Sequence, residues 1–369
     1  MKNNAEKDRL PEIITAAVAV LAAAAVIFTQ SAGRVTLAVA QAMYRSGKEL
    51  QTHIATAQST SETAKEVQSS AVTTAKAAEK TRDITETPAD IKALIEKYTE
   101  LFADDKKDGS IRSVTYVSKG ATHSFGSVHV KNTTETKPLD IEKVLGEPLE
   151  LSIDKSKPAV LIFHSHTSEG YELIERDWYA QDYTSRSNDE NLNIVRVGTE
   201  IADYLTAAGY TVIHDKTIHD DDYNGSYPSS RKTVAKHLEE HPEIQIVLDI
   251  HRDSVTQTNG DKLKFTNTIG GKKAAQLMII TGAEEGKVED FPDWEYNLCF
   301  ALRLQQKCSQ MFPGLMRPVL FSQRKYNMDM TRFSLLIEMG SEANTLEEAC
   351  YSGRLLASSL AALMDEYTE

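Results

Sequence analysis

The sequence predicts an α/β domain built on a mixed, mainly parallel sheet with helices on both faces, preceded by a transmembrane helix and a low-complexity stalk. Three observations predict it. From about residue 110 onward, strand-like apolar runs alternate with runs of helical spacing, the pattern that builds largely parallel sheets. Residues 13–33 form 21 consecutive positions without a charge, long enough to cross a hydrocarbon core of about 30 Å as a helix. Between these two regions, residues 35 to about 92 are mostly Ala, Thr, Ser, Gln, Glu and Lys, with hardly an aromatic residue after Tyr44. Such a stretch has too little apolar surface to fold alone.

The apolar run at 13–33 exceeds the roughly 7 to 15 residues of a signal-peptide core, so it reads as a retained anchor. Lys2, Lys7 and Arg9 precede it and only Arg34 follows closely, which keeps the N-terminus cytoplasmic and puts the rest outside. The expected organisation is 1–34 anchor, 35–109 polar and partly helical stalk, and 110–369 folded domain. Pro88 and the amphipathic piece at 91–102 mark the end of the stalk.

Within the domain, residues 113–117, 127–132 and 148–153 read as short strands, and 158–164 as a buried strand ending in histidine. Ile194, Val197, Ile201 and Leu205 share one helical face that stops at Gly209, and a strand at 210–215 completes a β-α-β unit. A helix at 231–242, a central strand at 244–253, one long strand at 272–283 and a long helix at 294–314 follow. Then come 315–321, the strand 333–341 and a C-terminal helix from about Leu346 to Asp365.

The chain has 369 residues, 41% hydrophobic and 26% charged, ordinary values that exclude a wholly disordered or polytopic membrane protein. A net charge of −13 repels phosphate backbones and argues against nucleic acid as a partner. Three cysteines without a C-x-x-C pair exclude a disulfide framework and a zinc ribbon.

Ligands of open α/β sheets sit beyond the carboxyl ends of the strands. Three predicted strand ends carry ionisable residues there: His164, His166 and Glu169 after the strand at 158–164, His251 with Arg252 and Asp253 in the central strand, and Glu338 in the last strand. His166 and Glu169 stand three apart in a turn, and His251 adds a third group. Two imidazoles and a carboxylate suit Zn²⁺, and three protein ligands leave the open position of a catalytic site. Glu338 is then placed as general base. A lone strand-end histidine is usually only a hydrogen-bonded structural residue, so the argument rests on all three ends carrying such groups, because unpaired buried charges need a compensating partner. His164 is an alternative to His166, depending on where the strand stops, and Glu190 is an alternative to Glu169. Arg252 and Asp253 bind substrate, orient His251 or form an ion pair. His214, His219, His237 and His241 are expected in exposed helix and loop positions.

At these residues the chain resembles the stage II sporulation protein P family, membrane-anchored N-acetylmuramoyl-L-alanine amidases of endospore-forming bacteria. The family's strand followed by His-Thr-His-x-x-Glu-x-Tyr stands here as His164-Ser165-His166-Thr167-Ser168-Glu169-Gly170-Tyr171. The resemblance continues through NIVRVG at 193–198, SYPSSR at 226–231, DIHRD at 249–253, YN at 326–327 and LLIEMGSEANTLEEA at 335–349. Ser165 replaces the more usual Thr, and Met328 stands where Gln is common. The resemblance implies a zinc-dependent hydrolase of the amide between muramic acid and L-alanine in peptidoglycan. It further implies action with sporulation proteins D and M in the mother-cell membrane facing the septal wall during engulfment. A zinc peptidase trimming stem peptides and a non-catalytic wall-binding domain are the alternatives.

Overall fold

A computed structural model describes residues 72–73 and 83–368. The anchor expected at 13–33 and most of the stalk lie outside the described residues; among the described residues no helix is long and apolar enough to cross a membrane.

The compact unit runs Ser69–Glu369. Its main sheet has nine strands in the order β1-β7-β5-β8-β13-β11-β12-β4-β3. These are β1 Val72–Thr73, β3 His123–Phe125, β4 Val128–Asn132, β5 Pro158–Phe163, β7 Thr211–His214, β8 Ile246–Asp253, β11 Leu277–Gly282, β12 Val319–Ser322 and β13 Phe333–Ser341. The central run β7, β5, β8 and β13 is parallel, β11 reverses against β13, and β11, β12 and β4 are again parallel. The mixed, mainly parallel sheet expected from the alternation is what forms. A second sheet of four strands, β10-β9-β2-β6, comprises β2 Gly109–Val114, β6 Trp178–Tyr179, β9 Lys262–Ile269 and β10 Lys272–Ala275.

Strand alternation assigns the two faces of the main sheet. Val160, Ile162, Leu248, Ile250, Leu335 and Ile337 pack into the large core with the helices Ile194–Ala207 (α3), Trp294–Met311 (α5) and Leu346–Met364 (α6), which follow α1 Ala89–Leu101 and α2 Ile141–Gly146. Leu161, Phe163, Ile213 and Val247 pack on the other face against Val234 of the helix Ser226–Glu240, which is α4 in chain order. Each such fully buried aliphatic side chain contributes about 1.5–3 kcal/mol. Cys299, Cys308 and Cys350 are free thiols inside the large core.

Several elements depart from the sequence expectation. The single strand expected at 272–283 breaks at Gln276 into β10 and β11, which belong to different sheets; the Gln276 amide spans the break, bonded to Tyr116 and Gly314. The segment 148–153 forms only an isolated bridge at Ile153. Helix α1, within the region read as stalk, docks on the domain: Ile91 is fully buried, Arg196 pairs with Asp90, and Arg354 donates to the Ile84 carbonyl.

Candidate metal centre

Strand β5 ends at Phe163, so His164 and His166 diverge. His164 turns to the helix side, where Nδ1 bonds the Ile250 carbonyl at 2.9 Å and Nε2 lies 2.9 Å from His214 Nε2. Burial pushes His164 down to about 4, so it is held neutral there. Gly198 of α3 makes room: a Cβ on it would sit 2.7 Å from His164 Nε2 and 2.6 Å from His214 Nε2. The turn beyond carries His166 to the opposite side, with Ser168 bonded to Asp220 and Thr167 to the His164 and Thr217 carbonyls.

His251 lies on β8 directly opposite Glu338 of β13, in register, and both point away from the large core. One donor atom from each of His166, Glu169 and His251 lies within 4.8 Å of the others, and all three residues are buried. His166 Nδ1 is 3.4 Å from Glu169 Oε1, and His251 Nδ1 is 3.5 Å from Glu169 Oε2. Ligands held at about 2.0–2.2 Å by a tetrahedral zinc are about 3.3–3.6 Å apart; the two contacts above reach different Glu169 oxygens and one donor atom from each residue lies within 4.8 Å of the others, so the donor types fit that ion.

The surroundings set the charge states of these groups. Burial opposes the charge on Glu169, but the hydrogen bonds from His166 and His251 and the nearby His251 and Arg252 charges outweigh it and hold the carboxyl well below its usual range. His251 Nε2 lies 2.7 Å from Asp249 Oδ1, a charge contact that is not aligned as a hydrogen bond, while Nδ1 faces Glu169. Burial disfavours a proton on His251, yet Asp249 and Glu169 prevail and hold it well above its usual value. Asp249 is itself fixed by the Ser165 amide at 2.9 Å and hydroxyl at 2.6 Å. Such carboxylate–histidine pairs orient metal-binding imidazoles.

Glu338 is half-buried, but its Oε2 is sealed from solvent with no hydrogen-bond partner among the described residues. Burial, followed by the charge of Asp253, pushes this carboxyl up to about 8. A carboxyl raised in this way is mainly protonated at neutral pH, and a positive charge in the adjacent three-donor cluster would bring it down and let it accept a proton.

Other candidates sit elsewhere. Glu190 is exposed and pairs with Lys216 at 3.2 Å, away from the cluster. The Arg252 side chain braces the ligand turn, bonding the Gly170 carbonyl and Ser185 Oγ, while its backbone amide donates to Glu169 Oε2. Asp253 forms an ion pair with Arg317 at 3.0 Å. Two of the four histidines expected to be exposed, His219 and His237, are buried. His237 is held by Asp215 at 2.8 Å, and His214 partners His164. His241 is half-exposed.

Sequence reasoning assigned no role to several residues around the cluster. Tyr223 stacks on His166 at 4.4 Å with Arg186 over its ring, and Tyr227 lies 5.4 Å from His166 and parallel to His251 at 6.4 Å. A signal for Asp249 was available, since a residue two before His251 on a strand shares its face. The tyrosines come from a turn and a helix start whose position only the fold supplies.

The curated stage II sporulation protein P of Bacillus subtilis (strain 168) is 29% identical over 205 residues, 52% of this chain and 47% of that protein, so the aligned part spans about half the length of that relative. Among solved structures, the CwlD amidase from Clostridioides difficile, in complex with the GerS lipoprotein, is 12% identical with a TM-score of 0.36, covering 57% of this chain and 98% of that one. The N-acetylmuramoyl-L-alanine amidase AmiC2 of Nostoc punctiforme is 11% identical with a TM-score of 0.34, covering 56% and 97%. The family model of stage II sporulation protein P (SpoIIP) matches residues 30–361, nearly the whole of the described domain, and the chain belongs to that family.

Proposed function

We propose that this protein is a zinc-dependent N-acetylmuramoyl-L-alanine amidase that cuts the amide between muramic acid and L-alanine in peptidoglycan during engulfment. The observation that carries the reading is the meeting of His166, Glu169 and His251 donor atoms within 4.8 Å beside the partnerless Glu338 Oε2. In this reading His166, Glu169 and His251 hold the ion, which when bound supplies Lewis acidity to the amide carbonyl and to a water. Glu338 takes the water's proton at Oε2 and returns it to the leaving amide nitrogen, acting first as base and then as acid. Asp249 keeps His251 in the tautomer whose Nδ1 faces the ion. Arg252 and Ser185 keep the ligand turn closed on β8. The run at 13–33 anchors the chain in the mother-cell membrane with the domain facing the septal wall, where sporulation proteins D and M are its partners.

The test combines metal analysis of the purified full chain with mass spectrometry of digested peptidoglycan. About one zinc per chain and released peptides beginning with L-alanine are expected. Products that keep L-alanine on muramic acid would replace this reading with the zinc peptidase. A chain that cleaves nothing and takes up no zinc would leave a wall-binding domain.

A further inference from the structure

Next to the candidate centre lies a groove of about 410 Å³ that the amide chemistry does not use. Its wall on the metal side is Tyr227, whose ring packs parallel on Tyr326 at 4.9 Å and lies 5.4 Å from His166. The groove therefore opens one aromatic ring away from a candidate ligand. Its charged lining is Arg231, Arg324, Lys325 and Asp329.

The charges are arranged asymmetrically. Asp329 accepts a two-pronged bond from Arg231 at 2.7 and 2.8 Å and lies 3.3 Å from Lys325. Its side chain is only 6% exposed, whereas Arg231 is 46% and Lys325 33% exposed, so the anion is covered and the cations face the opening. Arg324 is exposed beside the Tyr326 ring, 5.4 Å from its centroid. Arg231 and Lys325 share Asp329, and Lys325 Nζ also donates to the Glu289 carbonyl at 3.0 Å, so the positive surplus of the groove is carried mainly by the exposed Arg324, on a chain whose net charge is −13.

The backbone is held in an unusual form to make this wall. Tyr326 and Asn327 both lie in the left-handed region, at φ of 43° and 58°, a strained conformation for residues other than glycine. Asn327 Nδ2 bonds the Tyr227 carbonyl and Ser230 Oγ, both at 3.1 Å. Ser230 Oγ lies 2.8 Å from Ser165 Oγ, and Ser165 bonds Asp249, the support of His251. One hydrogen-bonded chain thus ties the strained wall of the groove to the candidate centre.

We propose that this groove is the subsite for the peptide side of the substrate, recognising carboxylates of the stem peptide through Arg324 and Lys325 while Tyr227 and Tyr326 pack against its backbone. The inference rests on the amidase reading for its substrate. Its ligand, however, is a short anionic peptide whose binding can be measured without turnover. Of the two sides of the scissile amide, the sugar side carries no charge before cleavage, whereas the stem peptide carries free carboxylates. A positive groove therefore selects the peptide side.

The test uses the full chain, wild type and Arg324→Ala/Lys325→Ala, leaving Arg231 in place because it covers Asp329. Calorimetry is run with a synthetic L-alanyl-γ-D-glutamyl peptide bearing free carboxylates and with its carboxamide counterpart. Wild type is expected to prefer the acid form at least ten-fold, with the preference shrinking at 0.5 M salt, and the double variant to show under two-fold preference at unchanged zinc content. Equal binding of acid and amide by wild type, no binding of either, or a preference that survives the double substitution would overturn the proposal. Failure of the amidase reading would show differently, as absent cleavage of muropeptides with the acid-peptide preference intact.

Discussion

Replacing Asp249 by Asn tests whether the carboxylate behind His251 prepares it as a metal ligand. The substitution keeps shape and leaves one oxygen to accept from Ser165, whose amide and hydroxyl now donate to different Asp249 oxygens at 2.9 and 2.6 Å; the new amide nitrogen replaces the second acceptor, and the charge 2.7 Å from His251 Nε2 is removed. With an effective dielectric near 20, a full charge pair at that separation is worth about 6 kcal/mol. A neutral imidazole polarised by a bound cation carries only part of that charge, so about 1.4–2.7 kcal/mol is expected, a 10- to 100-fold loss of zinc affinity. Competition against a chromophoric chelator at fixed pH measures the loss on the full chain, and thermal melting of the metal-free variant checks that the fold persists. A zinc affinity within two-fold of wild type, with unchanged melting, would refute the argument that Asp249 acts on the ion through His251.

Four other outcomes follow from the same coordinates. Glu338→Gln should leave zinc content unchanged and lower kcat by about 100-fold or more, measured on purified peptidoglycan. In metal-free protein the raised carboxyl of Glu338 also has a stability consequence: because folding favours its protonated form, its stabilising effect is complete below about 4.5 and is lost as pH rises toward 8. The metal-free Gln variant should therefore gain on wild type between pH 5 and 8 by on the order of a few kcal/mol in urea unfolding, and a constant difference would refute the assignment. Gly198→Ala places a methyl 2.6–2.7 Å from two imidazole nitrogens and should cost about 1–3 kcal/mol, read as a lowered Tm. A chain begun at Ser110 should melt about 5 °C or more below one begun at Ser69, because it loses buried Ile91 and the partners of Arg196 and Arg354; equal melting would show that α1 only rests on the domain.

The parts of this fold that were legible are those with long, clean periodicity. Strands β5, β8 and β13 read as apolar runs because both faces are covered, and α3 as a stripe because only one is. The second sheet was harder to see. Strand β9 has Lys264 at its centre, buried against Glu348 at 2.9 Å and Glu175 at 2.7 Å, so a residue that marks surface in a sequence is here part of the interior. The start of α4 at Ser226 rather than Arg231 was hidden by Pro228, which is well tolerated in a first helical turn. At the candidate centre, three strand ends were readable from the order of the elements. The choice between His164 and His166 depended on one residue of strand length, since a slip of one reverses every face. Asp329, Tyr227 and Tyr326 come together through a left-handed loop that no local pattern announces.

The three cysteines have a practical consequence. All are enclosed in the core, and burial pushes Cys308 and Cys350 up to about 12, so little reactive thiolate is present at neutral pH. Oxidants and alkylating dyes meet the same barrier. Labelling becomes a clock for opening of the α5–α6 layer, usable on the untagged protein without engineering a reporter.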